Sequence, residues 1–151
     1  MKLIYYASIL AFLLGISSCR KPRQGEFQMV LSGDKVITNE DTSGVTVSTT
    51  PFSSTSDMKI TKSKKSSLQV GDMVWSRSGT HVTYANTGTN ISAMITGNSP
   101  SSVIETTATV YDGTVKSNNS VEGTFSFTYS KQSGSGQYVE ATTGSFTLHR
   151  K

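Results

Sequence analysis

The side chains able to do chemistry in this 151-residue chain are few and scattered. Two histidines, His81 and His149, stand far apart, and neither belongs to an HxH or HxxxH pair. A zinc site takes three or four ligands, and Cys19 is the single cysteine, so no metal site and no cofactor are expected. Glu105, Asp112, Glu122 and Glu140 fall in segments that could become neighbouring strands. A pair of such carboxylates, one held protonated, is what glycoside hydrolysis requires. A chain this small rarely builds a deep cleft, and carboxylates on a sheet are ordinarily solvated. Serines abound, but no G-x-S-x-G elbow leads from a strand into a helix. No catalytic residue is assigned, and a small hydrolase is the weakest functional reading.

Binding chemistry has two candidate locations. Trp75, Arg77, His81 and Tyr84 could together form a patch on which a sugar ring stacks, although a lone tryptophan in a small β domain more often belongs to the core. "KITKSKKSS" (59–67) carries Lys59, Lys62, Lys64 and Lys65, with few acids nearby. This basic loop could touch a phosphate-bearing glycolipid, an anionic polymer or an acidic protein. The plainer reading is a solvated loop, or charges that blunt a sheet edge. The formal charge of +4 falls to +3 when Lys2 is removed with residues 1–18. No basic stripe interleaved with aromatic residues accompanies it, so a nucleic-acid partner is not expected.

The elements that must position these residues read as strands. Ser and Thr together occupy 46 of 151 positions, whereas charged residues make up 16%. Hydroxyls solvate a surface without charge, and the branched Cβ of Thr suits a pleated sheet. From Glu26 onward, short β-branched and aromatic runs alternate with hydroxyls between Gly, Asn, Ser and Asp, and no helical periodicity develops. Ten candidate strands result: 26–31, 35–38, 44–50, 57–61, 68–75, 81–86, 91–96, 102–111, 121–130 and 138–150. They predict an all-β fold, an antiparallel β-sandwich or small barrel of about 8–10 short strands. "YDGT" (111–114) reads as a hairpin turn. In "GTFSFTYS", Phe125, Phe127 and Tyr129 share one face. The return strand switches its apolar parity at Gly144, so a β-bulge is expected there. That register predicts a core of Val121, Phe125, Phe127, Val139, Ala141, Phe146 and Leu148. "GTFSF" and "GSFTL" echo each other, which suggests one packing solution used on adjacent strands.

The N-terminus has its own logic. Lys2 precedes "LIYYASILAFLLGI" (Leu3–Ile16), and "SSC" follows. A helix of that length rises about 21 Å, short of the ~30 Å hydrocarbon core, as expected of a secretory segment and not of a membrane span. "ISSC" (Ile16–Cys19) resembles the lipobox of bacterial lipoproteins: an aliphatic residue, two small residues and a cysteine. The resemblance implies a signal peptide at 1–18, lipidation of Cys19, a lipidated tether at 19–25 and a domain at 26–151. It also implies a membrane partner through the lipid on Cys19, and it accounts for a lone cysteine that could form no internal disulfide. Arg20, and not Asp, follows the cysteine, which leans towards the outer membrane. The final 35 residues resemble small β-sandwich lipoproteins of Gram-negative bacteria. The resulting expectation is a lipid-anchored protein of the bacterial cell envelope with a non-catalytic binding or structural role and an envelope protein or glycan as partner. The alternative is a surface-displayed carbohydrate- or protein-binding module.

Overall fold

The computed structural model describes residues 21–96 and 99–151. Eight antiparallel strands close into one up-and-down barrel in the order β1-β2-β3-β4-β5-β6-β7-β8, with β8 pairing back onto β1. They are β1 (Gly25–Asp41), β2 (Gly44–Ser63), β3 (Ser67–Val70), β4 (Met73–Ser78), β5 (His81–Thr96), β6 (Ser99–Ser117), β7 (Ser120–Ser133) and β8 (Gly136–Arg150). The all-β expectation holds, and the architecture is the barrel, not the sandwich. Cys19 lies outside the described residues.

Most strands are long. The predicted pairs 26–31 with 35–38, 44–50 with 57–61, and 81–86 with 91–96 each fuse into one strand, because their polar interruptions lie within an unbroken ladder. Segment 68–75 instead splits at Gly71–Asp72. Gly71, at φ 57°, takes the left-handed conformation demanded at the first central position of a two-residue hairpin turn. The expected turn at "YDGT" is strand interior. Gly113 pairs with Val82 and Gly123, and a Cβ on it would sit 2.7 Å from Cζ of Phe146. The glycine therefore makes room for an aromatic ring.

Inside and outside alternate along each strand. Phe27, Met29 and Leu31 point inward with Ile60, Leu68, Trp75, Val82, Val115, Val121, Phe125, Phe146 and Leu148, and all are buried. Opposite positions carry Thr124, Ser126, Thr128 and similar residues. In the closed half the wall is apolar inside and hydroxyl-rich outside; in the open half the inner face turns polar, and Val45, Val47, Ile91 and Ile104 stand exposed on the outer face. No bulge occurs at Gly144; the β7–β8 register is continuous from Ser120↔His149 to Ser133↔Gly136. Val139 and Ala141 consequently face outward and leave the predicted core, while Phe127 packs against it half-buried. The register shifts lie between Ile60 and Lys62 and between Val115 and Ser117. The first turns Ser63, in place of Lys62, towards the interior. The echo of "GTFSF" and "GSFTL" is reciprocal packing, since Phe125 faces Gly144 and Phe146 faces Gly123.

The two ends differ. At one, the loops at 64–66, 79–80 and 118–119 gather beside both described termini and are stitched by backbone hydrogen bonds. Arg23 N–H donates to the Asn118 carbonyl (2.8 Å), Arg150 N–H to Asn119 (2.9 Å) and Val115 N–H to Thr80 (2.8 Å). Pro22 is buried there, so the expected tether is already attached to the barrel from residue 22. The described strands close on themselves within Gly25–Arg150, β8 completing the ladder on β1. At the other end the wall is incomplete. β3 and β4 span 4 and 6 residues, so among the described residues they pair with β2 only at 60–63 and with β5 only at 81–83. Beyond the Gly71–Asp72 turn, β2 and β5 have a strand neighbour on one side, and the barrel opens into a trough.

Candidate functional site

The site residues expected from sequence do not converge. Trp75 is fully buried, stacked on Tyr111 at a ring-centroid distance of 5.1 Å and edge-on to Phe146 at 5.6 Å. Tyr84 faces inward beside it at 6.3 Å. Arg77 is tied down by its own hydrogen bonds to the carbonyls of Gly79 and Lys64, each 2.9 Å. His81 is exposed on the outer face, 3.5 Å from Asp112. Trp75 offers no ring to solvent, so these four residues do not make a stacking patch. The physical reason is parity: Trp75 lies on the inner face of β4 opposite Leu68, where the core needs its largest side chain. Lys59 and Lys62 are exposed on β2, Lys59 pairing with Glu26 at 3.4 Å, and Lys64 and Lys65 occupy the β2–β3 loop. His149 lies on the outer face of β8, and no group of three metal-ligating side chains occurs among the described residues.

The carboxylates sort by face. Asp112 and Glu122 point outward, whereas Glu105 and Glu140 point into the trough. There the register places Glu105 of β6 opposite Lys131 of β7, and Tyr129 of β7 opposite Glu140 of β8. Tyr129 Oη donates to Glu105 Oε1 (2.9 Å), with Lys131 Nζ at 3.6 Å from the same oxygen. Tyr138 Oη donates to Glu140 Oε2 (2.9 Å), and Lys35 Nζ of β1 lies 2.7 Å from Oε1. The two tyrosine rings meet at 6.0 Å, tilted by 60°. Two Lys–Glu–Tyr triads thus form a network across four adjacent strands on one concave wall. Neighbours on the same face of a sheet lie close enough for such contacts.

The electrostatics follow from the pairing. The Tyr129 hydroxyl, then the Lys131 charge, hold Glu105 below the ordinary carboxylate range. Lys35 and then Tyr138 do the same for Glu140. Reciprocally, hydrogen bonding to a carboxylate raises Tyr129 and Tyr138 above the usual phenol value, and Glu140 raises Lys35. Side chains in the two ion pairs retain between 30% and 49% of their exposure, so the network faces water. Below it, Thr107, Thr109, Phe127, Tyr129, Glu140 and Thr142 line a concavity of about 210 Å³. The floor is aromatic: Tyr111 meets Phe127 and Phe125, and burial pushes its hydroxyl up to about 12. The wall therefore offers charged acceptors, donors and aromatic edges above an apolar floor. Sequence reasoning put Glu105 and Glu140 among four candidate carboxylates but missed Lys35, Lys131, Tyr129 and Tyr138. Their one visible signal was inward parity on strands whose neighbours had to be known first.

No family model, curated protein or solved structure matches this chain.

Proposed function

We propose that this chain is a lipid-anchored protein of the bacterial envelope with a non-catalytic binding role, and that the open half of its barrel is the binding face. The observation that carries the reading is the half-exposed Lys–Glu–Tyr network on a concave wall. A small β domain that needs only a core has no use for charged triads on its inner face. Carboxylates beside tyrosine rings suit a hydroxyl-rich ligand of the carbohydrate class, with sugar hydroxyls hydrogen-bonded by Glu105 and Glu140 and an apolar sugar face laid against Tyr129 or Tyr138. Hydrolysis is disfavoured because it needs one carboxylic acid held protonated, whereas both carboxylates are pulled down. The anchor rests on the lipobox-like "ISSC", and the outer-membrane location on Arg20 following it.

A second reading, binding of an extended protein segment, is favoured by the sheet edges. Residues 44–56 of β2 and 84–96 of β5 contain no charged residue, and their outer ladder groups have no described strand partner. At the level of β3 and β4 the two edges stand three strand spacings apart, about 14 Å. The slots filled lower down by β3 and β4 continue upward unoccupied among the described residues, the geometry of strand addition.

The deciding experiment screens a panel of envelope oligosaccharides and extended peptides against wild type and Glu140→Gln. Glycan binding that weakens tenfold or more in the variant supports the carbohydrate reading. Peptide binding indifferent to Glu140 transfers the function to the edges. Glycan binding unchanged in Glu140→Gln removes the trough from consideration.

A further inference from the structure

The charges of this barrel are sorted by end. At the open end, Lys35 and Lys131 are each matched to a carboxylate, and Glu40 and Asp41 add further negative charge at the tip of the β1–β2 hairpin. The closed end is the opposite. Lys21 and Arg23 precede β1 there, Arg150 ends β8 with Lys151 after it, Lys62 lies at the end of β2, and Lys64 and Lys65 follow in the β2–β3 loop. Acids are fewer there: Glu26 pairs with Lys59 and Asp57 with Lys151. Lys62, Lys64 and Lys65 have no carboxylate partner among the described residues. Residues distant in sequence, 21–23, 62–65 and 150–151, become one cationic platform only because the meander returns them to the same rim.

That platform is also notched. Lys21, Pro22, Arg23, Gln24, Ser63 and Asn118 line a concavity of about 420 Å³. The Oγ of Ser63 is buried there without a hydrogen-bond partner among the described residues. A buried hydroxyl left unmet is costly, and a ligand oxygen that accepts from it removes that cost. Two cations, two carboxamides and an unsatisfied hydroxyl around one hollow match the oxygens of a phosphate monoanion or diester.

We infer that the closed end is a docking surface for anionic phospholipid, with lipid phosphates facing the lysine loop and one headgroup seated in the notch beside Ser63. Charge complementarity selects this partner, and the position of the tether supports it. Pro22 is already buried in the barrel, and three residues of extended chain reach at most about 10 Å. An acyl group on Cys19 would therefore hold this end, and no other, within reach of the headgroups. The inference extends the anchoring reading but does not need the lipid. It adds an orientation, with the barrel standing on its basic rim and the trough aimed away from the bilayer.

The test uses residues 21–151, which lack Cys19, so its outcome is independent of acylation. Sedimentation with phosphatidylcholine vesicles is compared with vesicles containing one third phosphatidylglycerol. Binding is expected with the anionic vesicles only, and 0.5 M salt should abolish it, since the Debye length then falls to a few ångströms. Each cation near a charged surface contributes roughly fivefold. The triple variant Lys62→Gln, Lys64→Gln, Lys65→Gln should bind at least tenfold more weakly while melting at the wild-type temperature. Ser63→Ala should bind several-fold more weakly without loss of stability, an effect that a merely structural serine would not produce. No sedimentation with anionic vesicles at 50 mM salt overturns the inference, as does undiminished binding by the triple variant. Complete displacement by 10 mM inorganic phosphate would reassign the notch to a free anion, and tighter binding to duplex DNA than to vesicles would reassign the platform to nucleic acid.

Discussion

Glu105 and Glu140 show how much a side chain's role depends on its partners. In sequence they are two of four equivalent acids. On the inner wall each takes a phenol and an ammonium, and both are held below their ordinary value of 4.5. A native-state carboxylate pulled down contributes stability that is fully present above about pH 4.5 and is lost as pH falls through its native value. The expected result is a urea midpoint that is level from pH 7 to about 5 and drops below pH 4. Glu105→Gln combined with Glu140→Gln should flatten that acid-side drop, and should also bring the ultraviolet titration of Tyr129 and Tyr138 back towards 10. An acid-side profile identical to that of wild type would show that the triads do not hold in solution. Trp75 makes the complementary point. Its type suggested a ligand platform, but the parity of one short strand buried it against Tyr111.

At the level of elements, glycine and phenylalanine act in pairs. Phe125 lies opposite Gly144 and Phe146 opposite Gly123, so each ring covers the gap left by the neighbouring strand's missing side chain. The glycines also permit close crossing, because a Cβ on Gly144 would overlap the Ser32 carbonyl oxygen. Gly144→Ala should destabilise the barrel by about 1–3 kcal/mol through overpacking, read as a lower urea midpoint with an unchanged slope. A stability equal to wild type would mean that β1 and β8 do not approach as described. The parity switch at Gly144 was visible in the sequence, and a bulge was a reasonable explanation of it. The structure resolves it differently: one parity faces the core, and Val139 and Ala141 cover the outside. Sequence pattern distinguishes the faces of a strand, but it cannot tell which face is inside when both carry apolar residues.

The whole molecule is polarised. A sealed, basic end with a dense core lies opposite an open, hydroxyl-lined end bearing charged triads. The difference arises from strand length, since the 4 and 6 residues of β3 and β4 close the wall at one level only. Seventeen residues of β1 at about 3.3 Å each, tilted as barrel strands are, span roughly 40 Å along the axis. A barrel anchored at its closed end would therefore display the trough some 40 Å beyond the headgroups. The anchor itself has a direct check. Cys19→Ala should abolish incorporation of labelled fatty acid and move the protein out of the acylated membrane fraction. Full labelling of the variant would place the lipid elsewhere.

By itself the sequence determined the all-β class, the absence of helix-forming periodicity after residue 26, the hydroxyl-coated surface and the inward set Phe125, Phe127 and Tyr129, because alternation with period two is a local property that needs no neighbour. The tertiary structure alone decided barrel over sandwich, the burial of Trp75, the assembly of Lys35, Glu105, Tyr129, Lys131, Tyr138 and Glu140 into one wall, and the gathering of distant cations at one rim. Each of these depends on which strand lies beside which and in what register, and such non-local pairing leaves no periodic trace in a single chain.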